Sequence, residues 1–269
     1  MLGVPKACTF MGCIGSDKFG DILSEQAGSV GVNGVYQRHP TEKTGTCAVC
    51  IYKEHRSLCA HLAAANCFTI SHLDVPEHQA LIETAQFYYI SGFFLTVCPE
   101  AIERVGKHAA AAPSKVFMMN LSAPFICSVF KDRFDQVMPY VDILFGNETE
   151  AVNFAKEHNF GTENIPEIAL KICALEKVNQ SRPRMVIITQ GPDPVVVAKE
   201  GKTEQFPATP LQPSELVDTN GAGDSFVGGF LAQYVQGKPL AECVRCGQWA
   251  ANVIIQRSGC TFPDQCTYK

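Results

Sequence analysis

The nine residues from Asp218 to Phe226, "DTNGAGDSF", crowd two glycines, two acids and an amide together, then run straight into the apolar stretch "VGGFLAQYV". The apolar stretch reads as a helix, so the glycines stand at its mouth. Glycine lets a backbone turn sharply and approach a ligand closely. A helix N-terminus adds free N–H groups and the positive end of the helix dipole. Gly221, Ala222 and Gly223 together therefore make an anion cradle. Asp224 beside a bound anion is unfavourable unless its task is to take a proton from a hydroxyl that attacks that anion. Cradle plus carboxylate is the pairing that phosphoryl transfer to an alcohol needs. The same letters also suit a glycine-rich turn in which Asp224 is a plain N-cap.

The rest of the chain bounds what that mouth can serve. At 269 residues there is enough chain for one large domain, and 46% hydrophobic with 18% charged residues is ordinary globular composition. A net charge of −5 argues against nucleic acid or an anionic membrane as partner. No apolar run reaches the roughly 18 residues of a membrane span. The start, "MLGVPKACTF", has no basic region followed by a long apolar stretch, so it does not read as a signal peptide. Thirteen cysteines without such a signal point to reduced thiols in a cytoplasmic setting. Two pairs have Cys-x-x-Cys spacing, Cys47/Cys50 and Cys243/Cys246. They could supply four zinc ligands. A strand would point the first pair to opposite faces, and the second lies in a helical pattern far along the chain, so small buried thiols are the expectation for both.

Short β-rich runs alternate with helical stretches, the signature of an α/β fold. The predicted strands are "ACTFMGCIG", "FYYISG", "KVFMMNL", "DILFGN" and "RMVIIT"; several are apolar throughout, as for strands covered on both faces. Helical patterns follow in "PEAIERVGKHAAAA", "TEAVNFAKEHNF" and "NIPEIALKICALEK", a hairpin turns at Gly201, and a last helix, "LAECVRCGQWAANVIIQRSG", is closed by Gly259. Residues 31–66 show strand alternation and turn residues with no clear helix, and read as a small β-excursion of the kind that often serves as a lid.

Three further motifs bear on chemistry. In "FGNETEAV", Asn147 and Glu150 end a strand three residues apart; they suit a magnesium ion held through water, or a cap in which Glu150 reaches back to Asn147. In "VIITQGPD", Thr189 and Gly191 end another apolar strand, where ligands of open α/β sheets bind, although an ordinary strand exit looks the same. In "EHRSLCAHLAAAN", Arg56 offers a planar clamp for phosphate, while Leu58 and Leu62 stand at helical spacing and read as core.

Taken together, these pieces resemble one family. "DTNGAGD" is similar to the second signature of ribokinase-type (PfkB) carbohydrate and nucleoside kinases. "NLSAPF", "PYVDILFGNETEA", "ISGFFLT", "HRSL" with "LAAANC", and "SGCTFP" resemble the adenosine kinases of that family, in order and spacing as well as in letters, from about residue 7 to residue 264. The resemblance implies a three-layer α/β/α ribokinase-like domain over residues 1–269 with a small β lid, of which 31–66 is part. It implies transfer of the ATP γ-phosphate to the 5′-hydroxyl of adenosine, with Mg²⁺. Carried onto matching positions, Asp224 is the base, Gly221, Ala222 and Gly223 form the anion hole, and Arg56 steadies the γ-phosphate. Asn147 and Glu150 organise magnesium and phosphate. Thr189, Gly191 and Asn220 line the ATP side, and Asp218 is placed for a monovalent cation such as K⁺. Phe93 stacks on the purine, with Cys47, Leu58 and Leu62 of the lid closing over it. The expected protein is a monomer acting on small molecules in the cytoplasm, with the nucleus as a second location.

The sequence also departs from the pattern. Adenosine kinases carry an upstream segment with a first strand, an aspartate that holds the ribose hydroxyls, and a Gly-Gly element; this chain starts after both. An N-terminally shortened kinase is therefore expected, with ATP-side residues intact and nucleoside turnover weak or absent, since unpaired ribose partners cost on the order of 1–3 kcal/mol each. Glu54-His55 stands where the family has an acid-amide pair before the lid arginine. Two other functions fit the same residues: a kinase of the same fold acting on a sugar or another nucleoside, and a non-catalytic protein that binds nucleotide or pairs with a full-length kinase.

Overall fold

The computed structural model describes residues 3–52 and 55–268, and only the backbone of residues 51, 52, 55, 56 and 213. The chain divides into two compact units: residues through 85 together with 96–101, and residues 86–95 together with the chain from 102 on.

The first unit contains β1 (Thr9–Gly15), α1 (Lys18–Ser29), β2 (Asn33–His39), β3 (Thr46–Tyr52), β4 (His55–His61) and α2 (Pro76–Thr84). β1 and β2 pair in parallel, Thr9 opposite Asn33 through Gly15 opposite His39. β3 and β4 form a separate antiparallel hairpin in which Cys47 faces Ala60 and Val49 faces Leu58. The predicted excursion at 31–66 is thus divided. Residues 33–39 belong with β1, and the self-contained hairpin is 46–61. α1 is not among the helices the sequence predicts, because polar residues break its apolar face. Asp17 caps it, accepting from Gly20 N at 2.9 Å, and the same carboxylate accepts from Thr44 N (2.9 Å) and Thr44 Oγ1 (2.6 Å). These bonds hold the Asp17 carboxyl down at about 2.

The second unit contains β5 (Phe87–Ile90), α3 (Pro99–Ala110, which starts in the first), β6 (Val116–Asn120), α4 (Pro124–Val129), α5 (Lys131–Val137), β7 (Ile143–Asn147), α6 (Glu148–Glu157) and α7 (Ile165–Cys173). It continues with β8 (Met185–Gln190), β9 (Asp193–Lys199), β10 (Lys202–Phe206), α8 (Ala222–Tyr234) and α9 (Leu240–Ile255). Its six strands run in the order β10-β9-β8-β7-β6-β5, parallel from β5 to β8 and antiparallel beyond. The β9–β10 hairpin turns at Glu200 and Gly201, both left-handed, as read from the sequence.

Both faces of this sheet are covered, which is why its strands are apolar throughout. Val116, Met118, Ile143, Phe145, Met185 and Ile187 face Phe226, Val227 and Phe230 of α8 and Cys243 and Val244 of α9. Phe117, Met119, Leu144, Val186 and Ile188 are buried on the other side, against which α6 and α7 pack. The result is a three-layer α/β/α sandwich. α8 and α9 pack together at Gly229, where a Cβ would stand 2.5 Å from the Cys246 carbonyl oxygen, so glycine permits the approach. α9 ends at Ile255, four residues before the Gly259 that was expected to close it.

All thirteen cysteines are free. Cys243 and Cys246 are buried as expected, but Cys47 and Cys50 are exposed, because the hairpin leaves both of their faces uncovered. Among the described residues no helix is long and apolar enough to cross a membrane.

Candidate active site

The mouth of α8 is built by its own glycine. Gly221 is the N-cap, with φ +73°, and the helix begins at Ala222. That left-handed backbone is open to glycine and costly for other L-residues. Asp224 therefore sits in the first turn and is not the cap, which removes the capping alternative for that residue. The first regular helical bond at this end runs from Ser225 N to Gly221 O (2.9 Å). The N–H groups of Gly223 and Asp224 have no intrahelical acceptor and point out of the mouth.

Asp218 braces the approach. It is 4% exposed, and it accepts from Asn220 N at 2.9 Å through one oxygen and from Gly259 N at 3.2 Å through the other. Val217 N and Asp218 N both donate to Ile255 O, so the segment after α9 is tied to the cradle. That is the use the fold makes of Gly259. Cys260 comes with it: a Cβ on Gly221 would stand 3.2 Å from Cys260 Sγ.

Asp224 is exposed as a residue, yet enough protein surrounds its carboxyl that burial raises its pKa above the ordinary aspartate value. Asn147 and Glu150 make a complete capping box at the start of α6. Asn147 Oδ1 accepts from Glu150 N (2.8 Å), while Glu150 accepts from Asn147 N (3.0 Å) and Asn147 Nδ2 (2.9 Å). The capping alternative is thus realised in the structure. Glu150 is itself buried, and that burial pushes its carboxyl up, with Glu148 and Asp224 adding to the effect against the Asn147 N–H. Thr189 lies opposite Asn147 in the β7–β8 register and donates to Gly146 O at 3.4 Å; Gly191 follows with φ +55°.

The "ISGFF" and "NLSAPF" stretches meet at the ends of β5 and β6. Asn120 Oδ1 accepts from Gly92 N (2.9 Å) and Ser122 Oγ (2.5 Å), and Ser122 Oγ accepts from Phe93 N (3.2 Å). This network presents Phe93, 49% exposed, beside Phe125, 47% exposed, with ring centroids 6.0 Å apart. Two exposed phenylalanines side by side are an aromatic platform. The sequence pattern singles out Phe93 and not Phe125, although "NLSAPF" contains it.

Asp218, Asn220, Gly221, Ala222, Gly223, Asp224, Asn147, Glu150, Thr189, Gly191 and Phe93 all belong to the second unit. Cys47, Arg56, Leu58 and Leu62 lie in the other. Leu58 is a strand residue 56% exposed and Leu62 is 46% exposed, so the helical spacing that read as core is a coincidence of a β-hairpin. Arg56 has its backbone in β4 opposite Ile51; its side chain, and Glu54 altogether, lie outside the described residues.

The chain is similar to known proteins along nearly its whole length. Residues 2–266 match the family described as pfkB family carbohydrate kinase. Adenosine kinase 2 of Arabidopsis thaliana is 53% identical over 265 residues, which is 98% of this chain and 76% of that protein. The crystal structure of Anopheles gambiae adenosine kinase in complex with P1,P4-di(adenosine-5) tetraphosphate superposes with a TM-score of 0.94 at 51% identity, over 98% of this chain and 79% of that one. Adenosine kinase from Schistosoma mansoni in complex with 2-fluoroadenosine gives a TM-score of 0.93 at 32% identity, over 97% and 77% of the two chains.

Proposed function

The chain belongs to the pfkB carbohydrate kinase family, and on that premise we propose that it is an ATP-dependent adenosine kinase, making AMP and ADP from adenosine and ATP. The observation that carries the reading is the placing of the Asp224 carboxylate in the first turn of α8, next to N–H groups that have no acceptor of their own. Asp224 takes the proton of the 5′-hydroxyl. The freed oxygen forms a bond to the γ-phosphorus, and the bond from that phosphorus to the β-phosphate oxygen breaks. The N–H groups of Gly223 and Asp224, with Gly221 setting their direction, receive the negative charge of the phosphoryl group in flight.

The other assignments rest on local chemistry. Phe93 and Phe125 hold the purine by stacking, at about 1–3 kcal/mol per base. Thr189, Gly191 and Asn220 serve the ATP side. Among the described residues no cluster of three or more His, Cys, Asp or Glu could hold a metal ion by itself. Asn147 and Glu150 offer only oxygen and amide groups already bonded to each other, which suits Mg²⁺ held through water and phosphate. When bound, that ion neutralises phosphate charge. The buried Asp218 carboxylate pairs with no Lys or Arg among the described residues, which suits a K⁺ ion as its counter-charge. Arg56, Cys47, Leu58 and Leu62 enter the reading through the family resemblance alone. A reducing compartment such as the cytoplasm suits thirteen free thiols.

The test is transfer of label from γ-labelled ATP to adenosine, beside ribose and inosine as competitors, with Asp224→Asn as control. We expect labelled AMP from the parent and a loss of about 10²–10⁴-fold in the variant, the usual contribution of a general base. Equal turnover by Asp224→Asn overturns the base assignment, and preferential labelling of ribose overturns the substrate.

A further inference from the structure

The hairpin of β3 and β4 is directed from its root. Its described side chains, 46–50 and 57–61, are all exposed, so packing on its faces does not fix where it points. Its two legs close on each other where Thr46 faces His61, and just outside that pair Ala64 N donates to Lys43 O at 2.9 Å. The incoming leg lies hard against the end of β1: a Cβ on Gly15 would stand 2.6 Å from both Glu42 O and Thr44 N. Thr44, 6% exposed, is the joint. Its hydroxyl accepts from Gly15 N at 3.0 Å and donates to Asp17 Oδ1 at 2.6 Å, while its N–H donates to Asp17 Oδ2 at 2.9 Å. Asp17 is fixed from its other side, because Gly20 N donates to Oδ1 at 2.9 Å in the capping of α1. A helix cap needs one oxygen, and Ser, Thr or Asn supplies it as well as Asp does. The second oxygen of Asp17 serves only the root of the hairpin, and an amide in its place would set one N–H against another.

We propose that Asp17 is a positioning residue for nucleoside capture: through Thr44 it sets the direction of the hairpin at 46–61. Strand pairing puts Cys47, Val49, Leu58 and Ala60 on one face of that hairpin. Cys47 and Leu58 are the residues that the adenosine kinase reading brings over the purine, so the inference rests on that reading. Asp17 touches neither substrate in this scheme. A hairpin with a fixed root has less freedom to lose when the nucleoside binds than one that swings, so Asp17 acts on the capture of adenosine and not on the transfer step.

The test is Asp17→Asn. The amide oxygen keeps the cap of α1, while the amide nitrogen stands where Oδ2 stood and accepts nothing from Thr44 N. KM for adenosine should rise roughly 10-fold, the low end for a hydrogen bond to a charged group, while KM for ATP stays within about twofold. Thr44→Val should raise KM for adenosine likewise, and Thr44→Ser, which keeps the hydroxyl, should stay within about twofold of the parent. A parental KM for adenosine in Asp17→Asn overturns the proposal. So does an equal rise in both KM values, which would mark a general loosening of the fold, and so does a Thr44→Ser variant no better than Thr44→Val. A second measurement does not depend on turnover. Amide hydrogen exchange, read by mass spectrometry, should quicken in peptides covering residues 43–64 of Asp17→Asn and stay parental in those covering α1. Parental exchange over 43–64, or quickened exchange over α1, overturns the proposal even in an active enzyme. Quickened exchange confined to 43–64, in a parent that does not phosphorylate adenosine, supports Asp17 as the anchor of the hairpin and overturns the substrate reading alone.

Discussion

Replacing Gly221 by alanine perturbs the cradle at the point where backbone and chemistry meet. Two terms follow from the structure. The residue has φ +73°, and holding an L-residue in that left-handed region costs about 1–2 kcal/mol. The new Cβ would also stand 3.2 Å from Cys260 Sγ, close enough that the thiol must give way by a few tenths of an ångström. The strain has two outlets. If the backbone stays, stability falls by the same 1–2 kcal/mol, which for a domain of this size lowers the melting temperature by roughly 2–8 °C. If the backbone rotates, the N–H groups of Gly223 and Asp224 turn away from the phosphoryl group, and loss of one such donor lowers kcat by about 10²–10³. Steady-state kinetics and a thermal melt on the same preparation cover both outlets. The φ term should dominate, so Cys260→Ala alone should be near neutral and the double variant should recover little. Gly221→Ala with parental kcat and parental melting temperature would refute the reasoning, since neither the helix cap nor the cradle would then need glycine. Full recovery in the double variant would place the whole effect in the contact with Cys260.

Two further outcomes are expected. Phe125→Ala should raise KM for adenosine by about 5- to 150-fold, the equivalent of 1–3 kcal/mol of stacking, with a smaller change in kcat, and Phe93→Ala should do the same; unchanged KM in both variants would remove the aromatic platform from the site. Asp224 must be ionised to accept a proton, and burial raises its pKa, so the acid limb of kcat/KM against pH should lie above the ordinary aspartate value of about 3.9. The sign for stability follows. A carboxyl whose folded pKa is raised favours the protonated folded state, so it weakens the fold above that pKa, and the penalty fades as pH falls through it. Asp224→Asn should accordingly be at least as stable as the parent at neutral pH while inactive, and a lower melting temperature there would contradict the raised pKa.

Much of this protein is legible in its letters. Strands apolar on both faces, such as "VFMMN" and "MVIIT", announce a sheet covered on two sides, and the structure covers it with α8 and α9 on one face and α6 and α7 on the other. The glycine-rich mouth at 221–223 is equally local, because the need for a positive φ is a property of one residue. Other features are decided only by tertiary contact. Leu58 and Leu62 share helical spacing yet lie on a hairpin and its exit, since spacing alone does not distinguish a helix from a strand that happens to fit. Cys47 and Cys50 are exposed where buried thiols were expected, because burial depends on what packs above a strand. The Asn147–Glu150 pair satisfies a helix cap whether or not it also serves magnesium, so its letters serve two ends at once. Gly259 reads as a helix stop and in fact donates to Asp218, forty-one residues earlier in the chain. Sequence periodicity reports which faces are apolar. Which groups meet across those faces, as Phe145 of β7 and Phe230 of α8 do, is set by the packing of α8 on the sheet, and that packing sums weak contacts no single stretch contains.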